Sequence, residues 1–194
     1  MAKGSNYERE ICTEFSKWWA DGREDVFWRA AGSGNRAKVR GRQNRGTAGQ
    51  HGDICATDFI GKVLIDLFTI EIKRGYSSHT IQDIVDKSSK AGVQIWDGFF
   101  EQILESYEYS GSYSWLLINR RDRRDAMVWF PKHVLWDLKS VGALAEKPLP
   151  LVRISATVRY SNDKKINIDV IGMKLADWFS GVTPQHLKTL AKRV

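Results

Sequence analysis

Two short stretches of this chain carry residue types that could do chemistry together. Asp53 opens the run Asp53-Ile54-Cys55-Ala56, and Glu71-Ile72-Lys73 closes the long apolar run that starts at Val63. In an extended strand successive side chains alternate between faces, so Glu71 and Lys73 project to one side while Ile70 and Ile72 project to the other. A carboxylate and an ammonium are thereby delivered side by side. If the Asp53 strand pairs with this one as a hairpin partner, two carboxylates and a lysine converge at one end of a sheet. Two carboxylates and a backbone carbonyl suit a hard divalent cation such as Mg²⁺, with Mn²⁺ able to substitute, because such ions take oxygen ligands and keep several waters. A cation there could polarise a phosphodiester and acidify a bound water, with Lys73 orienting or activating that water. An E-x-K triplet alone is a short pattern that also occurs as an ordinary polar strand end. What distinguishes this one is its place after an almost unbroken apolar run, where an idle charge would be costly.

A third acid is Glu8. Tyr7, Ile11, Cys12, Phe15, Trp18 and Trp19 recur at helical spacing, and positions 8, 12, 15 and 19 form one stripe, so Glu8 shares the inward face. Ser5 followed by Glu8 also matches a capping box, with Ser5 as N-cap. Glu8 is therefore either a cap alone or a cap that also serves as an active-site carboxylate. The helix should end near Asp21-Gly22.

The elements that must position these groups read as a mixed α/β fold. Val26 to Trp28 and Asp53 to Ala56 are short strands, a turn falls at Ile60-Gly61-Lys62, and Val63 to Lys73 reads as one central strand covered on both faces. Ile95, Phe99, Ile103 and Leu104 mark a helix, and Ser114 to Ile118 and Ala126 to Phe130 two more strands joined by a polar turn. A helix from Pro131 to Lys139, two strands around Asn162-Asp163 and a C-terminal helix complete the chain. Nothing marks a domain boundary. The expected organisation is a single domain over residues 1–194, with a core to about residue 130 and a C-terminal α+β extension from about 131. Trp18, Trp19, Trp96 and Trp136 fall in helical patterns and are expected in a core or a dimer interface rather than on DNA.

Charge is distributed unevenly. The chain has 194 residues and a formal net charge of +7. Arg29, Arg36, Lys38, Arg40, Arg42 and Arg45, with no acid among them, contribute six of those charges and leave 7 − 6 = +1 for the rest. Glycines at 32, 34, 41, 46 and 49 interleave with them. Arginine forks suit phosphate oxygens and glycine permits close backbone approach, so beside a centre that hydrolyses phosphodiesters this stretch is expected to grip the DNA backbone without reading bases. A second cluster, Arg120-Arg121-Asp122-Arg123-Arg124, contains an acid and reads as an exposed turn. Cys12 and Cys55 match neither a disulfide framework nor a zinc spacing. No apolar run is long enough to cross a bilayer, and the N-terminus lacks a signal-peptide core. These features point to a reducing cytoplasm and no membrane association.

Four segments, in this order, resemble the PD-(D/E)XK nuclease superfamily, and specifically the archaeal-type Holliday-junction resolvases: Gly4-Ser5-x-x-Glu8-Arg9-Glu10, Arg29-Ala30-Ala31-Gly32-Ser33-Gly34, Gly52-Asp53-Ile54, and Ile70-Glu71-Ile72-Lys73. The resemblance spans residues 4 to about 73. It implies a restriction-endonuclease-like core with a central mixed β-sheet flanked by helices. It also implies metal-binding roles for Asp53 and Glu71, a catalytic role for Lys73, an active-site and metal-side acid at Glu8, a catalytic-loop contact from Ser33, and a homodimer. The chain departs from the family's pattern in three places: Gly52 stands where proline is usual, the segment between Ser33 and Asp53 is longer, and the chain continues well past the compact resolvase core. The expected activity is metal-dependent hydrolysis of DNA phosphodiesters, on branched DNA in recombination or repair. Alternatives are a restriction-type or phage DNA-processing nuclease acting on linear duplex, and a non-catalytic nucleic-acid-binding module that keeps the fold.

Overall fold

The computed structural model describes residues 3–30, 51–88, 90–144 and 150–194. In chain order the elements are α1 (Lys3–Trp19), β1 (Phe27–Arg29), β2 (Ile54–Ala56), α2 (Lys62–Leu67), β3 (Phe68–Arg74), α3 (Gln82–Val85), α4 (Ile95–Glu108), β4 (Ser114–Arg120), β5 (Met127–Pro131), α5 (Lys132–Ser140), β6 (Val152–Arg159), β7 (Lys165–Lys174), α6 (Leu175–Gly181) and α7 (Pro184–Leu190). Five strands form one sheet in the order β3-β4-β5-β7-β6, and β1 and β2 form a separate antiparallel pair. The β3–β4 pairing is parallel and the other three are antiparallel. A mixed sheet flanked by helices is the architecture the family resemblance implies, and it agrees with the mixed α/β pattern of the sequence. The two strands of the C-terminal third are part of it, because β7 pairs with β5.

Alternation along the strands divides the interior into two layers. Ile70, Ile72, Leu116, Ile118, Val128 and Phe130 face one side, where Tyr7, Ile11 and Phe15 of α1 and Trp178 of α6 cover them. Trp115, Leu117 and Trp129 face the other, covered by Trp96, Phe100 and Ile103 of α4. Aromatic edges meet faces in both layers, as between Phe15 and Phe27 at 6.4 Å and between Trp96 and Trp129 at 5.7 Å. Asp97 anchors the start of α4: fully buried, it accepts from Lys87 Nζ at 2.6 Å and from the backbone N–H groups of Gln94 and Arg159. A buried carboxylate with three donors is well compensated.

Four expectations need correction, and one pair of alternatives narrows. The run from Val63 is not one strand. Residues Lys62–Leu67 form α2, with Leu64 and Leu67 buried one turn apart and Lys62 paired to Asp66 four residues on. A continuous apolar run cannot separate buried helix from buried strand by periodicity, and the Lys62–Asp66 spacing is the local signal for helix. As a result β2 and β3 are not a hairpin. The intervening helix lets the chain return in the same direction, and Gly52 bridges Ile70 in parallel. Helix α1 starts at Lys3, so Ser5 lies inside it rather than at its N-cap. Trp136 is 57% exposed and belongs to neither layer, so of the two roles expected for it the core one is excluded. The C-terminal helix is two helices, broken where Thr183 caps α7 through His186 N and Pro184 opens it.

Candidate active site

The strand β3 delivers Glu71 and Lys73 to the α4 side of the sheet, as period two requires. Glu71 is completely buried, and both its oxygens are engaged. Oε1 accepts from Ser106 Oγ at 3.0 Å, while Oε2 accepts from Gln102 Nε2 at 2.7 Å and lies 3.3 Å from Lys73 Nζ. Lys73 Nζ also donates to Gln102 Oε1 at 2.7 Å and sits 5.8 Å from the Phe99 ring centre. The amide of Gln102 thus bridges the ion pair, giving to the carboxylate and accepting from the ammonium. The sequence reading does not single out Gln102 and Ser106. Four residues apart, they fall one turn from each other on α4, and polar groups on the inward side of an otherwise apolar helix are the signal for them.

Asp53 arrives from the neighbouring edge. Its backbone N–H donates to Ile70 O at 2.7 Å, and its carboxylate Oδ2 accepts from Ile72 N at 2.8 Å, so the acid is pinned beside the middle of the Glu71-Ile72-Lys73 triplet. Its other oxygen, Oδ1, accepts from no donor among the described residues. Asp53 is 4% exposed. Burial pushes its carboxyl well above the usual carboxylate range, and the Glu71 charge pushes the same way. Lys73 and the Ile72 N–H act in the opposite direction, and Glu8 adds a further increment upward.

Glycine at position 52 makes this approach possible. Its φ is +81°, and a Cβ there would lie 2.5 Å from Ile70 O and 3.0 Å from Ile70 N. Proline, locked near φ −65°, cannot adopt this backbone, so the departure from the family's proline has a local cause. Gly52→Ala should push the segment off β3 and lower stability by about 2 kcal/mol or more, since strain and a backbone clash combine. Thermal unfolding measures the first effect, and loss of cleavage reports the displaced Asp53. An alanine variant with unchanged stability and activity would rule the close approach out as a requirement.

Glu8 lies on α1, the helix that covers the opposite face of the sheet from Glu71. Its Oε2 pairs with Arg29 Nε at 2.6 Å, with both side chains largely buried. The pair holds Arg29 on β1 against α1. Ser33, Arg36, Lys38, Arg40, Arg42 and Arg45 lie outside the described residues. Their flanks, Ala30 and His51, adjoin the site: Ala30 N donates to Asp53 O at 2.9 Å.

The described residues therefore bring together Asp53, Glu71 and Lys73, with Glu8 acting on Asp53 through its charge. No group of three or more His, Cys, Asp or Glu side chains placed to hold an ion occurs among the described residues. The pair Asp53 and Glu71 still fits a cation of the Mg²⁺ kind, which binds through one or two carboxylates and completes its shell with water and substrate oxygens. Two buried carboxylates share the charge of one lysine, which is bonded to Glu71 and acts on Asp53 through its field. A divalent cation would relieve that excess of negative charge.

The sequence profile of the family described as "Phage putative PDDEXK endonuclease" matches residues 1–189. The chain belongs to that family. No curated protein and no solved structure matches it. Membership in this endonuclease family places the chain among nucleases, with DNA as the implied substrate, and the observed mixed sheet with flanking helices is consistent with a restriction-endonuclease-like fold. Among the described residues no helix is long and apolar enough to cross a membrane.

Proposed function

We propose that the protein is a Mg²⁺-dependent DNA endonuclease of the cytoplasm, dimeric, acting on branched DNA. The observation that carries the catalytic part is the buried Asp53–Glu71 pair with Lys73 held beside it. Asp53 and Glu71 would hold the cation, for which Mn²⁺ can stand in, and the cation would polarise the scissile phosphodiester and supply an acidified water. Lys73, positioned by Glu71 and Gln102, orients that water and offsets negative charge developing on the phosphate. Glu8 supports the site from outside it by fixing Arg29 and by keeping the field at Asp53 negative. Arg29 and the cations at 36, 38, 40, 42 and 45 grip the backbone of the substrate, and Ser33 contacts it near the site. The dimer and the branched substrate rest on the resemblance to the junction resolvases, since two copies are what two opposed cuts need.

A second reading, a phage DNA-processing nuclease on linear duplex, is favoured by the phage family that the chain matches. One panel separates the two: a four-way junction, its separate duplex arms, a flap and a single strand, each with Mg²⁺ and with chelator. Junction cleavage at least about tenfold faster than cleavage of the arms is expected; equal rates would transfer the assignment to linear duplex. Cleavage that continues in chelator would remove the metal from the proposal. Salt-sensitive binding with no cleavage of any substrate would favour a binding module.

A further inference from the structure

The arginine-rich turn between β4 and β5 lies at the end of the sheet where β3 presents Lys73. In the parallel register of β3 and β4, Lys73 stands beside Asn119 and Arg74 beside Arg120. Arg121 follows at once, so the turn begins about 7 Å beyond Lys73 along the strand direction, close to two nucleotide steps of duplex rise. The turn is held in place. Gly75 N donates to Arg120 O at 3.0 Å and Asp122 N to Ser77 Oγ at 3.1 Å, which tie the turn to the segment leaving β3, and Arg120 Nε donates to Arg124 O at 3.3 Å within it.

Its charges are unequally matched. Glu10 takes Arg120 at 2.9 Å, and Lys174 takes Asp125 at 2.7 Å. Arg121, Arg123 and Arg124 have no carboxylate within ion-pair distance among the described residues, and Arg123 and Arg124 are exposed. Between Arg121 and Arg124 the one acid is Asp122. Arg123 has a φ of +58°, a left-handed conformation that disfavours side chains bearing a Cβ and suits asparagine or glycine better. An arginine there is therefore not explained by the turn's own backbone.

We propose that Arg121, Arg123 and Arg124 form a clamp for the phosphate backbone of the DNA duplex that flanks the candidate site. This rests on the reading of that site as a DNA-cleaving centre. Three guanidinium forks on a fixed turn would position the strand in register with Lys73 without reading its bases.

Binding of the full chain to a labelled duplex in chelator, followed by anisotropy across salt concentration, tests the clamp. Arg123→Gln/Arg124→Gln is expected to weaken binding roughly ten- to hundredfold and to lower the log–log salt slope by about two. A charge-matched pair, Lys164→Gln/Lys165→Gln, on the β6–β7 turn at the opposite end of the sheet, should leave the slope unchanged. Arg123→Gly relieves the left-handed strain, so it should raise the thermal midpoint yet still weaken binding, a combination that damage to folding could not produce. An arginine variant with wild-type slope and affinity, in a protein that binds and cuts DNA, overturns the clamp and leaves the nuclease reading standing. A wild-type protein that neither binds nor cuts DNA overturns both.

Discussion

Glu71→Gln and Lys73→Met should each reduce DNA cleavage at least about a thousandfold while leaving DNA affinity in chelator within a few-fold of wild type. Glu71 is at the centre of the site's hydrogen bonding: Ser106, Gln102 and Lys73 all converge on its two oxygens. A glutamine keeps its volume but replaces one acceptor oxygen by an NH₂ group that faces donors, so the neutral variant loses both the cation-binding charge and the geometry of Lys73. Some loss of stability, about 1–3 kcal/mol, should accompany it, because the buried ammonium loses its carboxylate. Lys73→Met separates the two effects. Methionine preserves the apolar stem beside Phe99 but removes the ammonium and its bond to Gln102, and the buried Glu71 keeps Ser106 and Gln102 as donors, so a less stable but folded, DNA-binding and inactive protein is expected. Cleavage by Lys73→Met within tenfold of wild type would refute the role given to this lysine.

Asp53→Asn should abolish cleavage and yet stabilise the metal-free protein. Burial and the Glu71 charge both raise the Asp53 carboxyl, so the fold favours its protonated form. A group whose value is raised on folding contributes stability in full below its unfolded value, and that contribution is lost as pH rises through the folded value. At neutral pH the native fold therefore carries the cost of a carboxyl that ionises less readily folded than unfolded, and an amide retains the acceptor for Ile72 N without that cost. A gain of about 1–2 kcal/mol, or roughly 2–8 °C in thermal midpoint, is expected near neutrality, and the difference should shrink towards zero below about pH 4. The proposed cation reverses the sign. It needs the deprotonated acid, so Mg²⁺ should raise the midpoint of the wild type, increasingly with pH, and leave Asp53→Asn unmoved. An Asp53→Asn variant less stable than wild type at neutral pH in chelator would contradict the buried-charge account.

The legible parts of the fold are those with local signals. The inward stripe of α1 and the strands Ser114–Arg120 and Met127–Pro131 can be read from spacing and turn residues, and so can the turn between them. A strand over residues 63–67 is the wrong reading because a short apolar stretch looks the same in either periodicity. The hairpin between the Asp53 and Glu71 strands falls with it, since a pairing direction depends on what connects the strands. Glu8 faces inward as the stripe on α1 predicts, but its partner is Arg29, twenty-one residues away, rather than the Ser5 backbone.

Within the site, the side-by-side delivery of Glu71 and Lys73 was determined by sequence alone, because alternation along a strand is a property of the covalent chain. The presence of Asp53, the apolar run and the unopposed cations from Arg29 to Arg45 was equally visible. Tertiary structure alone decided that Gly52 crosses Ile70 closely enough to pin Asp53 on Ile72, and that Gln102 and Ser106 of α4 hold Glu71 and Lys73. It also decided that the Arg121–Arg124 turn stands at the same end of the sheet. These contacts join residues nineteen to thirty-five positions apart or more, and no local pattern encodes them. They follow from which strand edges meet and which face each helix covers, and that is settled only when the two apolar layers close on the sheet.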